Sequence, residues 1–340
     1  MAGMKSATQL VLGLASAACV ALVSCGGKKN EKGQQAGKFF ILDEVQTDGG
    51  ERSKAKKNAE NTLVKYSDID GMIGLWAYNA PQCLEALKDA DKLGKVKVFS
   101  FDEDPATLEA IKAGNCEGTV VQNPFQFGYQ AMKFLKEIAD GKTPEVPENK
   151  EVSIPARTIT KENVEPFQAE LAANLAAGEA GKKAPKKEGV PKFAFITNVA
   201  DPFWSHAQAG CYAAEKDFEI AADFQMNTGD EAGQKKIVEN VLSKGDYKGI
   251  AISVLNPENQ TGMINEAAAK LPLITHDSDA PDSDRLFYLG TNNYDAGRML
   301  GKLVKKSMPE GGKIMIYVGK IDQLNAQQRR DGLIDELKAE

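Results

Sequence analysis

The chain has 340 residues, room for two domains of ordinary size, with 42% hydrophobic and 26% charged residues, as in globular sequences. A net charge of −6 and a pI near 5.3 exclude a basic nucleic-acid surface. Five cysteines form no Cys-x-x-Cys pair and the two histidines, His206 and His276, are far apart, so no metal site, disulfide framework or cofactor is expected. Cys83, Cys116 and Cys211 are expected to be buried free thiols.

In chain order, Lys5 and the apolar run Leu10–Val23 read as a targeting segment too short to span a bilayer comfortably. It ends at "LVSC", Leu22 to Cys25, which resembles the lipobox of bacterial lipoproteins. That resemblance makes Cys25 the lipidated residue and the new N-terminus, with residues 1–25 as signal segment. An ordinary signal peptide or an uncleaved anchor are the alternatives. Residues 26–37 are polar and Gly-rich, and read as a flexible tether. Strand and helix patterns then alternate: strand "KFFILDE", helix Arg52–Tyr66, strand 71–76, helix Pro81–Leu93, strand 96–102, helix Pro105–Ala113, strand 118–122 and a long helix through Ile138. A second series has strand 193–197, a helix from about Asp201, strand 220–226, helix 231–243 and strand 249–254. Such alternation predicts parallel sheets built from right-handed βαβ units. Neither G-x-G-x-x-G nor G-x-x-x-x-G-K-[ST] occurs.

The halves resemble each other. Residues 71–105 and 249–281 each run from a Gly through an apolar strand to an Asn near a Pro, then through a helix to a strand ending in Asp102 or Asp277. Likewise, 120–137 matches 289–306. Two copies of one unit predict two similar lobes, with both aspartates at strand C-termini on opposite walls of one cleft.

With these residues in place, the chain resembles periplasmic sugar-binding proteins of the ribose-binding type, the substrate-binding components of ABC transporters. "FAFITNVADPFWSHAQAG" is similar to that family's first strand and ligand turn, "LPLITHDSD" to its sugar-gripping Asp, "NAQQRRDGL" to its site Arg, and "VFSFDEDP" and "TVVQNP" to its second-lobe Asp and hinge Gln. The resemblance implies an α/β fold of two doubly wound parallel-sheet lobes joined by a three-crossover hinge, a type I periplasmic binding protein. In that family the stretch beginning at Phe193 comes first; here it follows the stretch beginning at Phe39, so the sequence reads as a circular permutant. One lobe would comprise 38–122, 152–173 and 292–340, and the other 123–151 and 190–291. Residues 174–189 would be an exposed linker, and the crossovers would lie near Gln122–Asn123, Glu151–Ser153 and Thr291–Asn292.

The resemblance also implies a monosaccharide site. Phe203, Trp204 and Trp76 would stack on the sugar ring, while Asp102, Asp277, Arg329, Gln122 and Asn79 would pair with its hydroxyls. The alternatives are that the aromatic residues are core, that Asp102 only caps a helix, and that Asn79 caps the helix begun by Pro81. Asp201 stands where ribose binders carry Asn, Ser278 where they carry Arg, and Trp76 replaces a polar residue. Another pentose, a hexose or a deoxyhexose is therefore expected rather than ribose. The implied role is a monomeric, lipid-anchored protein of the periplasm or cell envelope that delivers sugar to an ABC permease. A sensor for signalling or chemotaxis would share the fold and site. A LacI-type regulator would need a DNA-binding headpiece, and no nucleophile–base set points to an enzyme.

Overall fold

The computed structural model describes residues 32–43, 45–185 and 187–339. The targeting segment, Cys25 and tether residues 26–31 lie outside the described residues. The first series comprises β1 (Gly33–Ala36), β2 (Phe39–Leu42), β3 (Gln46–Thr47), α1 (Arg52–Lys65), β4 (Gly71–Gly74), α2 (Asn79–Asp89), β5 (Lys97–Phe101), α3 (Pro105–Ala113) and β6 (Gly118–Val121). Then come α4 (Pro124–Ala139), β7 (Glu151–Ser153), β8 (Arg157–Ile159) and α5 (Val164–Lys182). The second series has β9 (Lys192–Ile196), α6 (Trp204–Phe218), β10 (Ala221–Gln225), α7 (Glu231–Lys244), β11 (Tyr247–Ile252), α8 (Pro257–Ala268), β12 (Leu273–His276) and β13 (Tyr288–Gly290). It closes with α9 (Asn293–Ser307), β14 (Gly312–Val318) and α10 (Leu324–Lys338).

Two sheets result, one per lobe. The first has the order β1-β2-β14-β4-β5-β6-β8 with β3 also on β14, and the second β10-β9-β11-β12-β13-β7. All pairs are parallel except β1–β2 and β6–β8. Central strands are buried on both faces because helices cover both, which is why they read as unbroken apolar runs. Alternate residues feed two cores per sheet. Met72, Val98 and Val121 enter one face of the first sheet, and Ile73, Phe99 and Val120 the other.

The helix starts follow capping chemistry. Asn123, Asp104, Asp230, Asn256 and Asn292 each accept a backbone N–H of the first turn, and Pro105, Pro124 and Pro257 occupy positions that need no donor. At the other Asn–Pro site the helix starts two residues before Pro81: Asn79 is its first residue, and its side-chain oxygen accepts the backbone N–H of Trp76.

Three features differ from the sequence-based expectation. Tether residues 33–36 form β1, which satisfies the free edge of β2 and buries Ala36. The third crossover lies at 154–156, because Glu151–Ser153 pair with β13 as the last strand of the second sheet before the chain enters β8 of the first. Most of the expected linker is helix: α5 continues through Lys182, its second half rich in helix-forming Ala but broken up by Gly178 and Gly181. Val164 and Phe167 anchor its start in the first lobe's core. Its far end lies on α6 of the second lobe, where Gly178 and Gly181 are buried. A Cβ on Gly178 would meet that of Ala209 at 2.4 Å, so only glycine permits this approach. Two further crossovers are at 122–123 and 291–292, between β6 and α4 and between β13 and α9, and α5 itself makes a fourth passage, from β8 of the first sheet to β9 of the second.

The strand β14 pairs in parallel with β2, Gly312 opposite Phe39, and α10 follows β14. A Cβ placed on Gly37 would lie 2.3 Å from the carbonyl oxygen of Leu337, so the last turn of α10 touches the start of β2.

Candidate functional site

Both sheets deliver an Asp to the cleft by the same local device. Asp102 follows β5 and Asp277 follows β12, and both adopt left-handed backbone, with φ of 64° and 59°. That conformation is costly for a non-glycine residue and is held by the surroundings. Thr119 Oγ1 donates to the carbonyl of Asp102 at 2.7 Å, and the Tyr288 hydroxyl donates to that of Asp277 at 3.0 Å.

The two carboxylates, Arg329 and Gln122 line one cavity of about 160 Å³ between the lobes. Gln122 donates to Asp102 at 3.0 Å, while Ser253 and Asn198 donate to Asp277 at 2.9 and 3.3 Å. Arg329 is buried and fixed: Nε donates to Asn293 at 2.8 Å, Nη1 to the Leu75 carbonyl at 3.1 Å, and its guanidinium lies 4.1 Å from the Phe101 ring centroid. Asp102 is 3.7 Å from Nη1. Burial raises the pKa of Asp102 to about 6, against the opposing pull of Arg329 and Gln122. Burial raises that of Asp277 as well, with Arg329 again opposing.

Among the described residues, six of the sixteen buried side-chain polar atoms left without a hydrogen-bond partner belong to residues lining this cavity. Trp76 Nε1, Gln323 Nε2 and Arg329 Nη2 are donors; Gln122 Oε1, Asn198 Oδ1 and Asn325 Oδ1 are acceptors. Buried groups are ordinarily satisfied, so six orphans on one wall set mark a place where something else supplies the bonds. Among the described residues there is no group of three side chains able to hold a metal ion.

Of the residues singled out from sequence, Trp76, Asp102, Gln122, Asp201, Phe203, Trp204, Asp277 and Arg329 all line the cavity. Trp204 does so only at its edge: it is 1% exposed and packs edge-on against Phe195, Phe203 and His276. Asp201 spends one oxygen on the Phe203 N–H, shaping the turn, and the other faces Arg52. Asn79 and Ser278 do not line the cavity. The Asn79 amide is held by Trp76 N–H and by Asp48, and Ser278 is buried behind Asp277, its backbone bonded to His276 and Val254. His276 stacks on Phe195 at 4.0 Å, and burial lowers its pKa to about 3, so it is a neutral packing group. Asn198, Lys320, Gln323 and Asn325 were not singled out, although all follow strand C-termini: Asn198 comes after β9, and the other three after β14. The rule that cleft residues follow strand ends would have found them.

A cleft between two doubly wound lobes, lined from both sides by fixed polar groups and two aromatic faces, defines a ligand-capturing protein. The chain belongs to the periplasmic binding protein family: the model for the periplasmic binding protein domain matches residues 27–143 and 193–340. It is 25% identical over 154 residues to the D-allose-binding periplasmic protein of Escherichia coli (strain K12), covering 42% of this chain and 49% of that one. Among solved structures it is similar to an ABC transporter solute-binding protein from Burkholderia graminis C4D1M in complex with D-arabinose, at 28% identity and TM-score 0.42, covering 45% of this chain and 53% of that one. It is also similar to a sugar-binding protein of a sugar ABC transporter from Bacillus halodurans, at 29% identity and TM-score 0.40, covering 44% and 52%. The chain spans about half the length of these relatives.

Proposed function

We propose that this chain captures one neutral monosaccharide between its lobes and delivers it, outside the cytoplasm, to an ABC importer. It acts as a binding protein and not as an enzyme. The observation that carries the reading is the set of six orphan donors and acceptors around one small cavity, with Asp102 and Asp277 facing it from opposite lobes. A sugar offers hydroxyls that both donate and accept, and C–H faces for Trp76 and Phe203. Three carboxylates, Asp102, Asp201 and Asp277, against two cations, Arg329 and Lys320, in the lining disfavour sugar acids and sugar phosphates. The cavity is smaller than drug-sized pockets, which fits one ring and not an oligosaccharide. In this reading Cys25 carries the lipid that holds the monomer at the membrane.

A thermal-shift screen of neutral pentoses and hexoses, with glucuronate and glucose 6-phosphate as anionic controls, tests the capture step. A ligand specific for the native state raises the melting temperature. No shift with any neutral sugar, or a larger one with the anions, sinks the reading.

The order of the segments fits a circular permutation. Joining α10 to β2 would complete a β14–α10–β2 crossover between two strands already paired in parallel, and Gly37 already touches Leu337. A chain rebuilt as 187–339 followed by 37–183 should fold and keep its sugar affinity; an insoluble or non-binding product counts against the permutation.

A further inference from the structure

Arg52 opens α1 in the first lobe, outside the cavity lining, yet its guanidinium reaches across the cleft mouth. Nη2 lies 3.4 Å from Asp201 of the second lobe, and Nη1 lies 3.7 Å from Asp104 of its own lobe. The same group covers the ring of Tyr78 at 5.4 Å, and Tyr78 lines the cavity. The Tyr78 hydroxyl in turn donates to buried Asp48, which also accepts from Gly50 N–H and Asn79. Thus one cation ties a rigid wall of the first lobe to the Asp201 carboxylate, whose other oxygen holds the turn that carries Phe203 to the cavity. A second tie crosses the same mouth, where Lys320 Nζ donates to the Gly229 carbonyl at 2.8 Å.

We propose that Arg52 is a positioning residue that latches the closed lobes through Asp201 and thereby slows release of the bound sugar, without touching it. The inference rests on the sugar-capture reading above. An ionic tie between lobes exists only when they are closed, so it biases the open–closed equilibrium by its differential contribution to the two states. Arg52 is 43% exposed at the side chain, so solvent and salt weaken the tie. The effect expected of an exposed pair is a two- to five-fold change in lifetime. Encounter happens with the lobes open, before the tie forms, so the association rate should not fall with it.

The test uses stopped-flow tryptophan fluorescence. The probe is the tightest wild-type ligand among D-arabinose, D-allose, D-glucose and D-galactose. Arg52→Ala should release it two- to five-fold faster, with an unchanged association rate and melting temperature. Wild-type release should quicken from 20 mM to 500 mM NaCl, and the variant should lose most of that dependence. Arg52→Lys keeps the charge but not the two-pronged reach, and should restore part of the lifetime. In an Asp201→Asn background, Arg52→Ala should add nothing further. Equal release rates and equal salt dependence in wild type and Arg52→Ala overturn the latch while leaving sugar capture intact. If none of the four binds, the probe is the tightest ligand of the wider thermal-shift panel, and failure of the wild type to bind any neutral sugar overturns the capture reading and the latch together.

Discussion

Replacing Asp102 by Asn separates binding from folding. The carboxylate is buried, accepts one amide bond from Gln122 at 3.0 Å, and has Arg329 as its nearest cation at 3.7 Å. If it takes a sugar hydroxyl, the lost interaction is a hydrogen bond to a charged group, about 1.5–3 kcal/mol. Affinity should therefore fall roughly 10- to 150-fold by isothermal titration calorimetry at pH 7.5. Stability should respond differently. Burial raises the folded pKa of Asp102 to about 6, so holding it ionised at neutral pH already opposes folding. Asn removes that penalty but leaves Arg329 without its nearest carboxylate. These two effects oppose each other, and Asn keeps an oxygen for Gln122, so the ligand-free melting temperature should stay level or rise. An Asn variant that binds as tightly as wild type would falsify the assignment. One that melts several degrees lower would show Asp102 to be a structural ion-pair partner instead.

The raised pKa of Asp102 fixes the sign of two pH effects. Its folded pKa lies above its unfolded one, so its contribution to ligand-free stability is full below about pH 4 and is lost as pH rises through 6. Hydroxyl donors favour the ionised form, so sugar affinity should fall as pH drops from 7 to 5, and an affinity flat across that range in wild type removes Asp102 from the site. Gly178→Leu should lower the melting temperature by the equivalent of about 1–3 kcal/mol, because a side chain there must push α5 off Ala209; an unchanged melt means α5 is not seated on α6. Limited trypsinolysis should cut first at the exposed Lys183 and Lys187. The fragments should co-elute, since each sheet draws strands from both sides of the cut, and fragments that separate without denaturant refute that interleaving. Small-angle scattering should record a smaller radius of gyration on adding sugar, and an identical radius argues for a rigid binder.

The apolar runs and the strand–helix alternation determined the parallel sheets, because strands buried on both faces must be apolar throughout, and Lys97–Phe101 and Lys192–Ile196 lie where the sequence puts them. The repeated strand-to-Asp pattern likewise determined that Asp102 and Asp277 would face one cleft, since the end of a strand fixes the direction in which the next residues leave the sheet. Sequence did not reveal which polar side chains are free to serve a ligand. Asn79 and Gln323 are equally polar in sequence, yet Asp48, thirty-one residues from Asn79, captures one amide while a nitrogen of the other stays unpaired at the cavity. Residues 174–182 read as a linker by composition, because Ala and Lys suit both a loose chain and a helix while Gly178 and Gly181 favour the loose chain. Only the docking of Gly178 and Gly181 against α6, a surface built from residues beyond position 203, decides for the helix.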